Sequence, residues 1–337
     1  MSIYALCTIG AGLDVLCVAD VALSGIIGLT PRDRGGDAIS GFVDASEYAS
    51  LKGVPFIPVE TYGLTSESDR KALSALNIDV LIVAGWQRLI PKWLIDSLNI
   101  GAIGFHGSAN GISGGRGRSP QNWAIMLGAP RFSVSLFLIA PGIDDGPVIA
   151  TGEYNLTSTD DIADSYRKMA ITAGRMLAAT LKNDPHLLKR TEQSEDAYYL
   201  PQRLPEDGEI DWAREPQQVL SFIRALTRPY PGAFSRVGER VVKVWRGQQY
   251  DLPGLPVAKP GTIRQRFADG ALLIACQHGD VLVSDWSSNN SADIVGGLVL
   301  PSLRFETNIK RIVDRHRMRH PGLPIAKEIL ACLPRAI

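Results

Sequence analysis

Residues 79–84 read Asp-Val-Leu-Ile-Val-Ala, a short run of branched apolar side chains between two segments of helical character at 66–76 and 91–98. Such a run is typical of a strand buried on both faces, as in a parallel sheet covered by crossover helices. The same alternation recurs outward along the chain. Further strands are predicted at 3–9, 24–29, 53–59, 101–105 and 132–139, and further helices at 45–52 and 160–182. We therefore predict an α/β fold built on a mostly parallel sheet.

A glycine pair follows the first predicted strand, in the sequence Gly10-Ala11-Gly12. The dinucleotide-binding fingerprint of Rossmann proteins needs a third glycine, and that glycine is absent here. The sequence thus favours a tight strand-to-helix turn over a dinucleotide site, within a sheet that we expect to be Rossmann-like.

The character of the sequence changes after residue 212. Alternating polar and apolar residues at 240–245, 261–267 and 272–285, with a turn at 277–280, are typical of antiparallel strands. An amphipathic helix at 217–226 precedes them, and a basic, partly helical tail follows from 305 to 337. We predict a larger α/β domain at 1–195, a linker at 196–213 and a small antiparallel β domain, OB-like, at 214–337.

The composition is that of a globular protein of about two domains. Hydrophobic residues make up 45% of the 337 residues and charged residues 21%, which excludes general disorder. Thirty-five basic residues balance thirty-five acidic ones. This zero net charge argues against a dedicated nucleic-acid binder, although a local basic patch is compatible with it.

The cysteines and the N-terminal segment favour a cytoplasmic protein without a metal site. The four cysteines form no Cys-x-x-Cys pair, so neither a zinc ribbon nor a disulfide framework is predicted. No Lys or Arg precedes Arg32, and Asp14 and Asp20 interrupt the apolar start, which disfavours a secretory signal. No stretch reaches the ~20 apolar residues of a membrane span.

Three polar segments follow predicted strands, where open α/β sheets place their ligands. They are Gly-Phe-His-Gly-Ser at 104–108, Gly-Arg-Gly-Arg-Ser-Pro-Gln-Asn-Trp at 115–123 and Gly-Ile-Asp-Asp-Gly-Pro at 142–147. His106 and Asp144 come from neighbouring strand ends and can meet, and an imidazole oriented by a carboxylate is a general acid/base unit. On spacing alone, a purely structural histidine is the alternative.

These segments resemble the folate-dependent formyltransferase family, in which an Asn-x-His pair, an Arg-Gly-x-x-Pro segment and an Asp-x-Gly turn follow one another. The matching segments here are 106–108, 116–120 and 144–146. The resemblance covers about 75–250 and includes 89–91, 205–212 and 228–234. The chain is similar to methionyl-tRNA formyltransferases and still more similar to the sugar N-formyltransferases that modify UDP-4-amino-4-deoxy-arabinose.

The resemblance implies a reaction in which an amine attacks the formyl carbon of the co-substrate 10-formyltetrahydrofolate. His106 would hydrogen-bond the tetrahedral oxyanion and move protons, while Asp144 would orient His106 and, through water, help to remove the amine proton. Asp145 is expected to be structural. The residues implied on the folate side are Trp86, Arg88, Leu89, Ile90, Ile143 and Asp144. For Trp86, core packing is the alternative.

Gly104 departs from the family pattern, because the family's asparagine should stand two residues before His106. Three explanations remain open. Another amide, Asn110 or Asn122, fills the role; or backbone N–H groups of the glycine-rich loop do so; or the reaction differs or is lost. The segment 109–114 is also longer and richer in glycine than its family counterpart, which predicts a reshaped acceptor pocket.

The acceptor is predicted to be a nucleotide-linked amino sugar. Ser108, Arg116 and Arg118 are the candidate substrate-binding residues, and the two arginines can either pair with phosphates or anchor their loop. The segment 31–37, which matches the tRNA-gripping insertion of the family, offers two Arg against two Asp and argues against tRNA. Alternatives are methionyl-tRNA, a hydroxylamine siderophore precursor, or a folate-binding homologue without catalysis. A homodimer is compatible with the sequence.

Overall fold

The computed structural model describes residues 1–31, 39, 41–182 and 189–334. The chain divides into two compact units, each assembled from separate stretches of sequence. The first unit consists of Met1–Arg116, Arg131–Asn155 and Tyr166–Ala197, and the second of Gly117–Pro130, Leu156–Ser165 and Tyr198–Ile337. The domain boundaries given by the sequence analysis stay a prediction.

Short strands and helices alternate along the first half of the described chain, and strands dominate the second half. The strands are β1 Ile3–Cys7, β2 Gly25–Leu29, β3 Phe56–Val59, β4 Val80–Ala84, β5 Gly101–Ser108, β6 Arg116–Gly117, β7 Arg131–Leu138, β8 Val148–Asn155, β9 Tyr199–Leu200, β10 Ala233–Val237, β11 Arg240–Tyr250, β12 Ile263–Arg266, β13 Leu272–Cys276 and β14 Gly279–Ser288. The helices are α1 Gly10–Ala19, α2 Ala45–Lys52, α3 Glu67–Ser74, α4 Lys92–Asp96, α5 Gly111–Gly114, α6 Pro120–Met126, α7 Ile162–Lys182, α8 Pro216–Leu226, α9 Phe305–Arg319 and α10 Lys327–Leu330.

A seven-stranded sheet with the order β3-β2-β1-β4-β5-β7-β8 forms the centre of the first unit. The strands from β3 to β5 run parallel, whereas β7 runs antiparallel to β5 and β8 antiparallel to β7. All five residues of β4 are buried, as expected for the central strand of a covered sheet. The prediction of an α/β fold with a mostly parallel sheet is confirmed.

The turn from β1 into α1 explains the early glycine pair. Helix α1 begins at Gly10, and a Cβ placed on Gly12 would lie 2.1 Å from the carbonyl oxygen of Ala84. Only glycine permits this close approach of the helix to the end of β4. The predicted strand-to-helix turn is therefore confirmed.

Helix α2 shows how local sequence sets an element. The Asp44 side chain accepts a hydrogen bond from the backbone N–H of Ser46 at 2.9 Å and caps the N-terminus. Gly53 ends the helix in the left-handed conformation, with a φ of 65°. Because both ends carry such residues, the helix has the bounds that the sequence predicts.

A five-stranded antiparallel sheet with the order β10-β11-β14-β13-β12 lies in the second unit. Trp212 is fully buried there and donates from Nε1 to the hydroxyl of Ser235 at 2.8 Å. The last long helix, α9, is held by a bidentate ion pair between Arg315 and the buried carboxylate of Asp207. The predicted small antiparallel β domain with a helical tail agrees with this unit.

The four cysteines are free, and two of them are buried thiols. Burial raises the pKa of Cys7 and of Cys276 to about 12, so these thiols stay protonated near neutral pH and are not nucleophiles. Across residues 1–31, 39, 41–182 and 189–334, no cluster of three potential metal ligands is found. Within the same residues, no helix is both long and apolar enough to cross a membrane.

Candidate active site

An open cleft of about 160 Å³ lies in the first unit, where three adjacent strands bring residues side by side. Val83 of β4 pairs with Gly104 of β5, and Gly104 pairs with Phe137 of β7. All three residues line the cleft, together with the segment that follows β4 and the turn that follows β7. The sheet register therefore brings three separate parts of the sequence to one site.

The segment after β4 supplies an aromatic and partly polar wall. Trp86 and Ile90 are buried there, while Arg88 and Leu89 are exposed. The Trp86 ring packs edge-on against Tyr62 with centroids 4.9 Å apart. Its buried Nε1 has no hydrogen-bond partner among the described residues. A buried N–H without a partner is costly in a folded protein.

His106 lies between two oxygen atoms of the protein. Its Nδ1 is 3.4 Å from Oδ2 of Asp144, and its Nε2 is 2.8 Å from the carbonyl oxygen of Gly115. A carbonyl oxygen can only accept, so Nε2 carries a proton in this contact. The His106 side chain is 10% exposed and that of Asp144 is 24% exposed. The pair is thus shielded on the histidine side and accessible on the carboxylate side.

The turn that carries Asp144 has a constrained backbone. Asp144 adopts a φ of 50°, in the left-handed region that non-glycine residues rarely occupy. Two residues later, a Cβ placed on Gly146 would lie 1.8 Å from the carbonyl oxygen of Leu138, so only glycine fits. This turn directs the Asp144 side chain toward His106 at a conformational cost of about 1–3 kcal/mol.

Gln193 fastens this turn to the segment that faces the other side of His106. Its Nε2 donates to the carbonyl oxygens of Asp144 and Gly146, at 2.8 and 2.7 Å. Its Oε1 accepts from Nη2 of Arg116 at 2.8 Å and from the Ser113 hydroxyl at 3.2 Å. No motif in the sequence points to Gln193, which lies in a polar, irregular stretch.

Gly104 lines the cleft where the family's asparagine is expected. A Cβ at this position would lie 3.0 Å from Cδ1 of Ile139 and 3.4 Å from Cζ of Phe137. The space in which a side chain would begin is therefore bordered by two apolar groups. One of them, the tip of Ile139, is the far end of a flexible side chain.

Two family models match this chain. The model described as "Formyl transferase" matches residues 40–181, and the model described as "Formyl transferase, C-terminal domain" matches residues 204–294. The methionyl-tRNA formyltransferase of Citrifermentans bemidjiense is 29% identical over 278 residues, which are 82% of this chain and 84% of that protein. The chain belongs to the formyltransferase family.

Solved structures share the fold of this formyltransferase. HypX from Aquifex aeolicus, in complex with tetrahydrofolic acid, has a TM-score of 0.60 at 18% identity over 96% of this chain. The chain spans about half, 48%, of that HypX chain. An N-formyltransferase from Helicobacter canadensis, in complex with folinic acid and dTDP-3-aminofucose, has a TM-score of 0.59 at 12% identity, over 85% of this chain and 100% of that one.

The family assignment confirms three predictions from the sequence. They are the resemblance itself, the enzyme class of a folate-dependent formyltransferase, and 10-formyltetrahydrofolate as the formyl donor of the family. The relatives named above include both a tRNA-modifying enzyme and a protein with a bound nucleotide sugar. Membership of the family therefore does not define the acceptor amine.

Five of the six residues predicted on the folate side line the cleft. They are Trp86, Arg88, Leu89, Ile90 and Asp144. Ile143 is not among the residues that line it. The Asp145 carboxylate lies over Gly142, where a Cβ would come within 1.9 Å of Oδ2, so this neighbour of Asp144 has a separate position.

The candidate substrate-binding residues differ in their availability. The Ser108 hydroxyl donates to the carbonyl oxygen of Gly111 at 2.7 Å and is buried, so it holds a local turn. Arg116 is 7% exposed and bonded to Gln193, which favours loop anchoring over phosphate binding for this arginine. Arg118 is exposed in the second unit.

Neither amide predicted to replace the family's asparagine lines the cleft. Asn110 is exposed just before α5. Asn122 is 1% exposed within the second unit, where its Nδ2 donates to the carbonyl oxygen of Ala225 at 2.6 Å. Nδ2 of Asn122 is therefore used in packing α6 against α8, whereas its buried Oδ1 has no hydrogen-bond partner among the described residues. The segment 31–37 matches the tRNA-gripping insertion of the family in position, and all of it except Pro31 lies outside the described residues.

Proposed function

We propose that this formyltransferase transfers a formyl group from 10-formyltetrahydrofolate to a primary amine, with His106 and Asp144 as the acid/base unit. The observation that carries the proposal is the 3.4 Å separation of Nδ1 of His106 and Oδ2 of Asp144, with Asp144 at the edge of the cleft. Acid/base groups of this kind contribute about 10²–10⁴-fold to a rate.

The cleft fits the pterin end of a folate. Trp86, Ile90 and Phe137 offer apolar surface to a flat ring. A ring acceptor of the bound folate would pair with the buried Nε1 of Trp86, which has no partner among the described residues. When bound, the folate supplies a formyl carbon activated for transfer. Arg88 and Leu89 line the cleft and are exposed to solvent, and we expect the remainder of the folate to extend past them.

His106 and Asp144 have different roles in removing the proton of the attacking amine. Nε2 of His106 keeps its proton on the carbonyl oxygen of Gly115, so Nδ1 is the ring nitrogen that can exchange one. Asp144 faces that nitrogen and, being the more exposed of the two, can reach the attacking amine through a water molecule. The apo distance of 3.4 Å is longer than a strong hydrogen bond, and such contacts commonly tighten when substrate binds.

The favoured acceptor is the amino group of a nucleotide-linked amino sugar. Arg118 is an exposed cation beside the Gly-rich segment and can pair with a phosphate. The zero net charge of the chain is suited to a small anionic ligand rather than to a polyanion. The similarity to the Helicobacter canadensis protein, which holds dTDP-3-aminofucose, supports the same class.

Methionyl-tRNA is the second candidate, and one surface of the second unit favours it. The Arg228 guanidinium lies 4.3 Å from the ring of Trp245, and Nζ of Lys243 lies 5.6 Å from the same ring. Cations interleaved with an aromatic ring are typical of nucleic-acid surfaces. The curated relative from Citrifermentans bemidjiense is a methionyl-tRNA formyltransferase.

A product assay separates these candidates. The protein is incubated with 10-formyltetrahydrofolate and either a panel of nucleotide-linked amino sugars or methionyl-tRNA, and formamide products are detected by mass spectrometry. We expect a formylated sugar nucleotide that is absent with His106→Gln. Formylation of methionyl-tRNA alone would replace the favoured acceptor by the second candidate. Folate binding without any formamide would indicate a homologue that has lost catalysis, in line with Gly104.

A further inference from the structure

The carboxamide of Gln193 is fully used. Both hydrogens of Nε2 are donated, to the carbonyl oxygens of Asp144 at 2.8 Å and of Gly146 at 2.7 Å. Oε1 accepts from Nε and Nη2 of Arg116 at 3.2 and 2.8 Å, and from the Ser113 hydroxyl at 3.2 Å. One side chain thus joins two backbone segments that are remote in sequence.

Those two segments are the ones that face His106. Asp144 lies opposite Nδ1, and the carbonyl oxygen of Gly115, the residue before Arg116, lies opposite Nε2. Any movement of one segment relative to the other changes the two ring contacts together. The Gln193 bridge fixes the distance between the segments and hence both contacts of the imidazole.

The charge of Arg116 strengthens the hydrogen bonds that Gln193 donates, and the backbone conformation of Asp144 makes those hydrogen bonds necessary. Arg116 is buried, and its guanidinium polarises the carboxamide so that the Nε2 hydrogens become better donors. Asp144 adopts the left-handed φ of 50°, a conformation that persists only where the surroundings hold it. The two hydrogen bonds from Gln193 stabilise this conformation, because they bind the carbonyl oxygens of Asp144 and Gly146 at the two ends of the segment.

We propose that Gln193 is a positioning residue that sets the geometry of His106 and Asp144. For catalysis this rests on the proposed function, in which these two residues act as the acid/base unit. Gln193 reaches neither the cleft nor the reacting atoms, because its bonds go to the backbone of the turn and to Arg116 and Ser113.

Two substitutions separate the two halves of the bridge. Gln193→Met removes all of its hydrogen bonds at nearly constant volume. Gln193→Glu keeps an acceptor for Arg116 but places a carboxylate against the carbonyl oxygens of Asp144 and Gly146. Gln217→Met is the matched control, because Gln217 is exposed and donates only to the side chain of Gln249, at 2.8 Å.

We expect kcat to fall about 10–100-fold in both Gln193 variants, since displacements of about 1 Å in a catalytic group cost rates of that order. The KM for 10-formyltetrahydrofolate should change less than about threefold, and Gln217→Met should match the wild type. An unchanged kcat per folded molecule in Gln193→Met overturns the proposal. Full activity in Gln193→Glu also overturns it, because that result would assign the whole effect to Arg116.

A spectroscopic readout tests the inference without any substrate. In protein with ¹⁵N-labelled histidine, at a pH where the ring is neutral, His106 should hold its proton on Nε2, facing Gly115. His106→Gln assigns the resonance. Gln193→Met should shift His106 toward a mixture of tautomers, and an unchanged tautomer contradicts the positioning role. If no amine is formylated by the wild type, the proposed function fails, whereas this measurement still decides the role of Gln193.

Discussion

Nε2 of His106 lies 2.8 Å from the carbonyl oxygen of Gly115. This contact gives the two ring nitrogens different roles, because a carbonyl oxygen accepts hydrogen bonds and cannot donate them. Nε2 anchors the ring, and Nδ1, opposite Asp144, is left to exchange a proton. The proposed role of His106 and Asp144 as the acid/base unit rests on this asymmetry.

His106→Gln should lower kcat by about 10²–10⁴-fold, because glutamine keeps a donor for Gly115 but cannot take up a proton. The variant should stay folded, since the glutamine amide can still donate to the carbonyl oxygen of Gly115. Initial rates of formamide formation, together with circular dichroism, check both statements. Loss of less than about tenfold would mean that His106 orients ligands without moving protons.

The neighbouring carboxylates provide a matched pair. Asp144→Asn removes the charge opposite His106 and should lower kcat by about 10²-fold or more. Asp145→Asn should leave kcat within about twofold, because that carboxylate lies over Gly142, whereas the carboxylate found 3.4 Å from Nδ1 of His106 is that of Asp144. The two variants are compared at saturating donor and acceptor. Equal losses in both would show that the local charge of the turn, and not the contact with His106, matters.

Gly104→Asn should keep activity within about tenfold of the wild type. The new Cβ would lie 3.0 Å from Cδ1 and 3.1 Å from Cγ1 of Ile139, so the Ile139 side chain as a whole must shift slightly to admit it. Gly104→Ala separates the effect of space from that of the amide. Steady-state kinetics on both variants check the prediction. A much larger loss in Gly104→Asn would show that the glycine itself is needed.

Trp86→Phe should weaken binding of a folate analogue by about three- to tenfold, because the variant keeps an aromatic ring but lacks the indole N–H. The smaller ring leaves space in the core around Trp86, so the midpoint of denaturant unfolding should also fall, and the affinity is measured under conditions where the variant is folded. Calorimetric titration with 5-formyltetrahydrofolate measures the first effect. Unchanged affinity would show that no folate atom accepts from Trp86.

Helix α9 contains a histidine, His316, that makes the stability of the protein depend on pH. Burial, and secondarily the charge of His320, hold the pKa of His316 below its ordinary value of 6.5. The unfolded chain therefore binds this proton more readily. The contribution of His316 is complete above pH 6.5 and is lost as the pH falls through the lowered pKa of the folded state.

His316→Leu should lose less stability than the wild type when the pH is lowered through this window. His320→Gln is the control, since it removes only the smaller cause and should keep most of the pH dependence. Urea unfolding across the window measures the difference. Parallel curves for His316→Leu and the wild type would contradict the assignment.

Much of the fold is encoded locally and could be predicted. The buried run at 79–84 and the capped segment at 45–52 correspond to β4 and α2, because burial on both faces and a pair of caps leave local marks. The direction in which each strand runs could not be predicted in the same way. An apolar run looks the same in either direction, so the antiparallel entry of β7 follows from the chain path and not from its composition.

Strand β8 and the role of Gln193 could not be predicted from the sequence. Strand β8, Val148–Asn155, is not predicted, because each of its residues is exposed or half-buried. It also contains several polar residues and Gly152, which are not typical of a buried strand. Gln193 is not predicted because its partners are 47–80 residues away, at 113, 116, 144 and 146. His106 and Asp144, by contrast, can be chosen as candidates from the sequence, because each follows a predicted strand and matches a segment of the family's pattern, and their roles stay a prediction.

The central claim is that the formyl carbon is delivered in the first unit, beside His106 and Asp144. A crystal structure of the protein with 5-formyltetrahydrofolate tests it most directly. We predict that the pterin ring lies against Trp86 and Ile90, with the formyl group next to Nδ1 of His106 and the Asp144 carboxylate. A pterin bound outside this cleft, or a formyl group remote from both side chains, would contradict the account.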